Sequence, residues 1–428
     1  MFKHIFKRGI RLVSVSAIAA SVVLTACSSN TRVSDQPLLV GPSPVEQTPT
    51  KQGNAPELVN AKVFLDVAIP TFDPGFPTDS YGNIDGDELE DEGIWPELRR
   101  TESKLFSSEL KAAMDDEKVF ASVSVVPDAS TPSDLFVLGK INHSDSEVVN
   151  ISITVVDSTG EIRGTKEFEH TVSKGFLRDQ RNKDKNPYEP VFQQASNYVV
   201  SLLSKMSLAD KEYIKSMSLM RYARYYSPEK YEQYISTELK RKNGQRYYKF
   251  ELTGLPDDDD PMLKRIEDLR AQELLFVDRL QDNYDVFEAK TQDAYGNWQA
   301  ETLPEVVAAR EAQQERNAKA ILGVGAAILA AVLAKNSNSS LGEAGSVVAG
   351  IGSVFAISDA FKNNARMKQH SAVIEEQGKA LDLTVSPMVI EFEDQVIELK
   401  GTAQEQYLQW KTHLRKVFQE EETPNVQL

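Results

Sequence analysis

Cysteine is nearly absent from this chain: Cys27 stands alone among 428 residues, so no intramolecular disulfide can staple it. Histidine is scarce too. His4, His143, His170, His370 and His413 include no pair at zinc-ligand spacing on one helix, and no metal site is expected. There is no glycine-rich phosphate loop after a strand and no serine in a nucleophile-elbow setting. Asn83, Asp85 and Asp87 have the spacing of the first ligands of a calcium loop, but its sixth position is Glu88 rather than glycine and its twelfth is Ile94 rather than glutamate. Positive charge is in deficit, 48 Lys+Arg against 64 Asp+Glu, for a net charge of −16. An acidic chain disfavours nucleic acid as a partner. These absences exclude the chemistries that sequence patterns reveal; the expectation is a protein that is not an enzyme and uses no cofactor.

What is present begins with a cationic start containing Lys3, Lys7, Arg8 and Arg11, then an uncharged apolar run over residues 12–24. A run this short spans a bilayer poorly and reads as a secretory signal over residues 1–26. Removing those four cations leaves a body of −16 − 4 = −20. The run ends in Leu24-Thr25-Ala26-Cys27, which resembles the lipobox of bacterial lipoproteins. The resemblance implies cleavage before Cys27 and acylation of its thiol, palmitate included. Ser28 and Ser29, in place of an acidic residue, imply export to the outer membrane. Each buried methylene of such an anchor contributes about 0.8 kcal/mol. Residues 27–54, with Pro37, Pro42, Pro44 and Pro49 and glycines at Gly41 and Gly53, read as a lipidated linker that cannot bury enough apolar surface to fold.

Residues 55–207 read as a folded α+β unit. A strand at 62–69 precedes a long acidic loop, then a helix over 97–114 with Leu98, Leu105, Phe106, Leu110 and Ala113 near one face. Strands follow at 119–126 and 135–141, and Val149, Ile151, Ile153 and Val155 alternate with Asn150, Ser152 and Thr154 as in a half-buried strand. Turn chemistry at Asp157-Ser158-Thr159-Gly160 leads to a pairing strand, and a closing helix carries Val191, Ala195, Val199 and Leu202. The order is strand, helix, four strands, helix: a small α+β sandwich able to fold alone. "VFLDVAIPTF", "ELRRTESKLFSSELKAAM", "KVFASVSVV" and "VNISITVVDSTGEI" in that order resemble the periplasmic α+β domain shared by the curli-secretion channel lipoprotein, lipoprotein activators of peptidoglycan synthases, and the Tol-system propeller protein. The resemblance implies assembly or regulation rather than catalysis.

The rest reads as mostly helical. Within 208–302, residues 221–250 interleave eight basic residues with seven tyrosines, either an anion-contacting surface or an amphipathic helix at a domain boundary. Residues 303–380 read as a long helical hairpin with an apolar, Gly/Ala-rich tip. Its first arm is uncharged over 320–334, a polar turn covers 335–340, and the second arm over 341–357 is broken only by Glu343. Gly323, Gly325 and Ala327 on one arm, and Gly345, Gly350 and Gly352 on the other, permit close helix approach. Membrane contact, packing between subunits and burial within one subunit all use that property. Residues 381–428 add a β-hairpin and a helix whose Tyr407, Trp410, Leu414 and Phe418 stripe reads as core.

The function expected is an outer-membrane lipoprotein, its body in the periplasm, forming a homo-oligomeric structural or assembly component of an envelope or secretion complex. The competing reading is a tethered periplasmic regulator that activates a cell-wall enzyme or another envelope partner.

Overall fold

The computed structural model describes residue 41 and residues 63–183, 185–242, 244–334, 367–392 and 395–422, with the backbone alone over 313–334, 367–371, 395 and 421–422. The first half holds β1 (Asp66–Pro70), α1 (Gly86–Asp91), α2 (Pro96–Asp115), β2 (Ser122–Val126), β3 (Leu135–Ser144), β4 (Val148–Asp157), β5 (Ile162–Thr171) and α3 (Glu189–Leu203). Five strands form one mixed sheet in the order β2-β1-β3-β4-β5. β1 runs parallel to β2 and β3, while β3, β4 and β5 are an antiparallel meander.

Alternation along β4 decides which face is core. Val149, Ile151, Ile153 and Val155 are buried, and α2 and α3 pack over the sheet, where Phe106 meets Tyr188 and Phe192 edge to face. Burying such a side chain contributes about 1.5–3 kcal/mol. On the other face of β3–β5, Asn142 Nδ2 donates to Asn150 and Ser152, and Thr154 pairs with Thr165, so polar rungs meet solvent. Gly139 accommodates the Phe72 ring, which would lie 2.3 Å from any Cβ there.

The second half is rich in helix: α4 (Leu208–Tyr226), α5 (Pro228–Tyr231), β6 (Ile235–Lys242), β7 (Gln245–Leu252), α6 (Pro261–Ala334), α7 (Met367–Gln377), β8 (Met388–Phe392), β9 (Gln395–Leu399) and α8 (Ala403–Glu422). Two expectations need correction. The tyrosine-rich stretch is not one helix: residues 235–252 form a β-hairpin, its β-branched and aromatic residues favouring strand and Gly244 taking a positive φ of 85° at the turn. Nor does the chain break near 302, because α6 is one 74-residue helix with Pro304 inside it. Proline removes a hydrogen bond from the carbonyl four residues earlier; Ala300 and Pro304 lie on the exposed side, where water can satisfy that group. The expected carboxy-terminal hairpin and core stripe are observed, with Tyr407, Trp410, Leu414 and Phe418 all buried.

The two halves share one core. A single cluster of buried side chains runs from Leu65 to Phe418, so residues 55–207 have no separate core of their own. α6 also covers the edge strand β2: the Gln281 amide accepts from the Val125 N–H at 2.9 Å and donates to its carbonyl at 2.8 Å. A side chain there does the work of a missing strand and closes an edge open to aggregation.

The β6–β7 hairpin is seated on the β4–β5 turn. Phe250 N–H donates to the Thr159 carbonyl, and Gly160, at φ 77°, brings its Cα so close that a Cβ would lie 1.9 Å from the Tyr248 carbonyl oxygen. Gly160→Ala is therefore expected to destabilise the protein by about 2 kcal/mol or more, from collision and positive φ together. Urea unfolding measures this; an unchanged midpoint would mean the two turns do not touch.

Candidate functional site

Of the residues singled out in the sequence, Cys27, Gly345, Gly350 and Gly352 lie outside the described residues. Gly323, Gly325 and Ala327 fall on the backbone of α6. What the structure defines is how the helices on either side of residues 335–366 are held.

Both are held on α2. Leu105, Phe106 and Leu110 pack as expected, yet Arg99, Thr101, Glu102, Ser103, Lys104, Ser107 and Ser108 are buried as well. Buried polar groups cost about 1–3 kcal/mol each when unmet; here Ser103 and Ser108 donate to carbonyls of α2 itself, Glu102 Oε2 faces Arg99, and other elements meet the rest. Phe72 N–H donates to Ser107 Oγ at 3.0 Å, and Arg99 Nη1 donates to the Pro74 carbonyl.

Two sets of contacts on α2 hold α6 and α7. Glu102, with 0% exposure, accepts from Tyr295 Oη of α6 at 2.8 Å and from Ser144 Oγ at 2.7 Å, with Arg99 Nε 3.3 Å away. Burial pushes its carboxyl above the usual range, against the pull of Arg99 and the two hydroxyls. The neighbouring Thr101 donates to the Ile374 carbonyl of α7 at 3.1 Å. Lys104 Nζ donates to the carbonyls of Gln377 and Ala380 at 2.5 and 2.8 Å, and Arg100 to that of Gly378. These are carbonyls at or just past the end of α7, which have no helical donors, and cations favour that end of a helix. Burial draws the Lys104 ammonium down to about 8, opposed by Asp382. The approach is tight: a Cβ at Gly378 would lie 1.9 Å from the Glu97 carbonyl oxygen.

α6 is held along its length by further buried or partly buried polar contacts. Glu273, also 0% exposed, accepts from Tyr222 Oη at 2.7 Å and from Tyr407 Oη, and burial raises its carboxyl. Towards the apolar segment, Arg310 Nη2 pairs at 2.7 Å with Glu147, a buried carboxylate in the β3–β4 turn, and Glu311 pairs with Lys174. These two ion pairs, the second exposed, meet α6 ten and nine residues before the uncharged run that begins at Ala320.

Other candidate chemistry dissolves into local structure. Asp85 caps α1 through the N–H groups of Asp87 and Glu88, and Asp79 accepts from Tyr81 and Asn83, so both carboxylates serve turns. Among the described residues no group of three or more His, Cys, Asp or Glu could hold a metal ion. Sequence reading missed Glu102, Lys104 and Glu273 because charged residues on an amphipathic helix normally mark its solvated side; spacing carries no sign that other helices cover that side too.

A pH dependence follows at the seam of α2, α3 and α6. Glu109 is pushed up to about 7 by burial first and then by the Glu288 carboxylate, with Asn186 opposing and Glu189 adding to the rise. A carboxyl that binds its proton more tightly when folded contributes most below its ordinary value of 4.5, and that contribution is lost as pH rises through about 7. Glu109→Gln is expected to stabilise the protein at pH 8 by on the order of 1–3 kcal/mol and to change little at pH 4. Urea unfolding at both pH values tests it, and an equal effect at the two would contradict the assignment.

Comparison of the chain with protein-family models, with curated proteins and with solved structures finds no match.

Proposed function

We propose that the protein is a non-enzymatic outer-membrane lipoprotein whose body carries a helical hairpin arm, and that the arm's Gly/Ala-rich tip is a seam for assembling copies of this chain within an envelope complex. One observation carries the reading. Glu102 holds Tyr295 and the adjacent Thr101 holds Ile374, so the 78 residues between them leave from and return to one place on α2. Two antiparallel helical limbs of equal rise turn at their midpoint. That midpoint falls between Ala334 and Lys335, where the polar run 335–340 begins.

The outgoing limb is helical to Ala334, about 58 Å from Tyr295 at 1.5 Å per residue. Its uncharged last 15 residues span about 22 Å, and no helix among the described residues is long and apolar enough to cross a membrane. Gly323, Gly325 and Ala327 facing Gly345, Gly350 and Gly352 would let limbs approach closely, within a copy and between copies. The Leu24–Cys27 motif supports acylation, and the resemblance of the α+β half to periplasmic assembly and activator domains supports the compartment.

Cys27→Ala protein separates the possibilities by analytical ultracentrifugation and membrane flotation. The expected result is a soluble oligomer that becomes monomeric on adding Ala327→Lys and Gly345→Lys. Flotation abolished by the same changes would instead make the tip a membrane contact. A soluble monomer in both forms would overturn the assembly reading in favour of a tethered regulator. Mass spectrometry of membrane-purified protein is expected to find Cys27 acylated at the mature amino terminus.

A further inference from the structure

The two edges of the mixed sheet differ. At the β2 edge the Gln281 amide occupies both backbone groups of Val125, whereas β5 has no strand on its outer side. The register tells which backbone groups lie along that open edge. Val172 N–H donates to the Glu147 carbonyl, and hydrogen-bonded pairs alternate along an antiparallel ladder. Counting from that pair through Val149–His170, Ile151–Phe168 and Ile153–Lys166, these residues of β5 direct their N–H and C=O groups at β4. Thr165, Glu167, Glu169 and Thr171 direct theirs outward. The Thr154–Thr165 hydroxyl contact at 3.0 Å agrees, since side chains approach most closely in the pairs that share no backbone bond. All four outward residues are exposed, and their N–H groups have no partner among the described residues. The open edge from Thr165 to Thr171 is about 20 Å long, and before it Lys242 Nζ donates to the Ile162 carbonyl at 2.6 Å.

An open edge of this length is a template for another strand, and charge along it decides which strands are refused. Here the charge is sorted by face. Glu167 and Glu169 share the solvent face with Thr165, and Asn150 Nδ2 donates to Glu169 there at 3.2 Å. Lys166 lies on the face covered by α3, its Nζ 5.6 Å from the centroid of the Tyr198 ring. A strand bonded to this edge would set alternate side chains opposite Glu167 and Glu169, and the intervening ones beside Lys166 and Tyr198. Cations suit the first set of positions. In the second, Lys166 repels a cation and the tyrosine ring favours an apolar side chain. Copies of β5 do not suit one another: an antiparallel pair centred on Lys166, Glu167 or Phe168 puts lysine against lysine or carboxylate against carboxylate, and like charges directly opposite are destabilising.

We infer that the outer edge of β5 is a docking site for an extended segment of a partner protein, one with lysine or arginine at alternate positions and apolar residues between them. The segment joins the five-stranded sheet as a further strand. Main-chain hydrogen bonds to Thr165, Glu167, Glu169 and Thr171 supply the affinity, and the two carboxylates select the sequence. The site depends neither on acylation of Cys27 nor on the helical arm.

Fluorescence anisotropy of a fluorescein-labelled, end-capped peptide of alternating valine and lysine, titrated with the full chain carrying Cys27→Ala, tests the site. The lysine peptide is expected to bind at least about tenfold more tightly than its valine–glutamate counterpart. Thr165→Pro removes an outward donor, leaves the bonds to β4 in place and does not change the charge; edge strands tolerate such a proline. It should weaken the lysine peptide at least about tenfold, while Thr165→Val, which keeps the N–H, should not. Glu167→Lys with Glu169→Lys should transfer the preference to the glutamate peptide, and this pair of exposed changes decides the matter even if the proline variant does not fold. No binding by the parent chain, or a preference that survives the charge reversal, would overturn the site. Equal binding by Thr165→Pro and Thr165→Val would also overturn it, since attraction to an acidic body needs no edge. If Thr165→Pro instead dissociates an oligomer in analytical ultracentrifugation and leaves peptide binding unchanged, the edge joins copies of this chain and the partner-strand assignment fails.

Discussion

A helix whose polar side chains are covered on every side can exist only if each covering element brings a partner. α2 is that helix. Glu102 takes a hydroxyl from α6 and one from β3, Thr101 and Lys104 meet the carbonyl end of α7, and Ser107 meets the backbone just past β1. Removing one element leaves a buried charge or hydroxyl unmet on α2, at about 1–3 kcal/mol and more for a charge. The sheet, the long helix and the returning helix are therefore interdependent through one element.

This dependence explains why the described residues of both halves share one cluster of buried side chains. The mixed sheet alone would expose the edge of β2 and the polar side of α2. Gln281 closes the first and Tyr295 answers the second, both from α6. The same helix is fixed at Glu273 by tyrosines of α4 and α8 and at Arg310 by Glu147. Polar contacts specify the register of a helix more sharply than apolar ones, because a slip by one residue leaves a charge unpaired. The register of α6 is thus fixed as far as Arg310.

The raised carboxyls of Glu102, Glu109 and Glu273 belong to this arrangement. Burial is the leading cause in each. The hydroxyls that face Glu102 and Glu273 come from elements distant in sequence, as expected where groups fasten helices together.

Much of the α+β half was legible in the sequence because its signals are local. Alternation at Val149–Val155, turn chemistry at Asp157–Gly160 and the apolar stripe of α3 each report which face of one element is dry. The Tyr407–Phe418 stripe is local in the same sense. The sequence by itself also determined where helix could not be sustained by charge, in the uncharged run before Ala334, and the single thiol at Cys27. Tertiary structure alone decided the rest. Residues 235–252 carry local strand signals in their β-branched and aromatic residues and the turn at Gly244, and only the assembled core seats that hairpin against Gly160. Pro304 failed to end α6 because the freed carbonyl faces outward, which no local pattern encodes. The charges of α2 look solvated when read along one helix, and the buried Gly41 looks like linker. Periodicity describes the faces of one element; which of them is covered depends on partners hundreds of residues away, and only the assembled core brings those together.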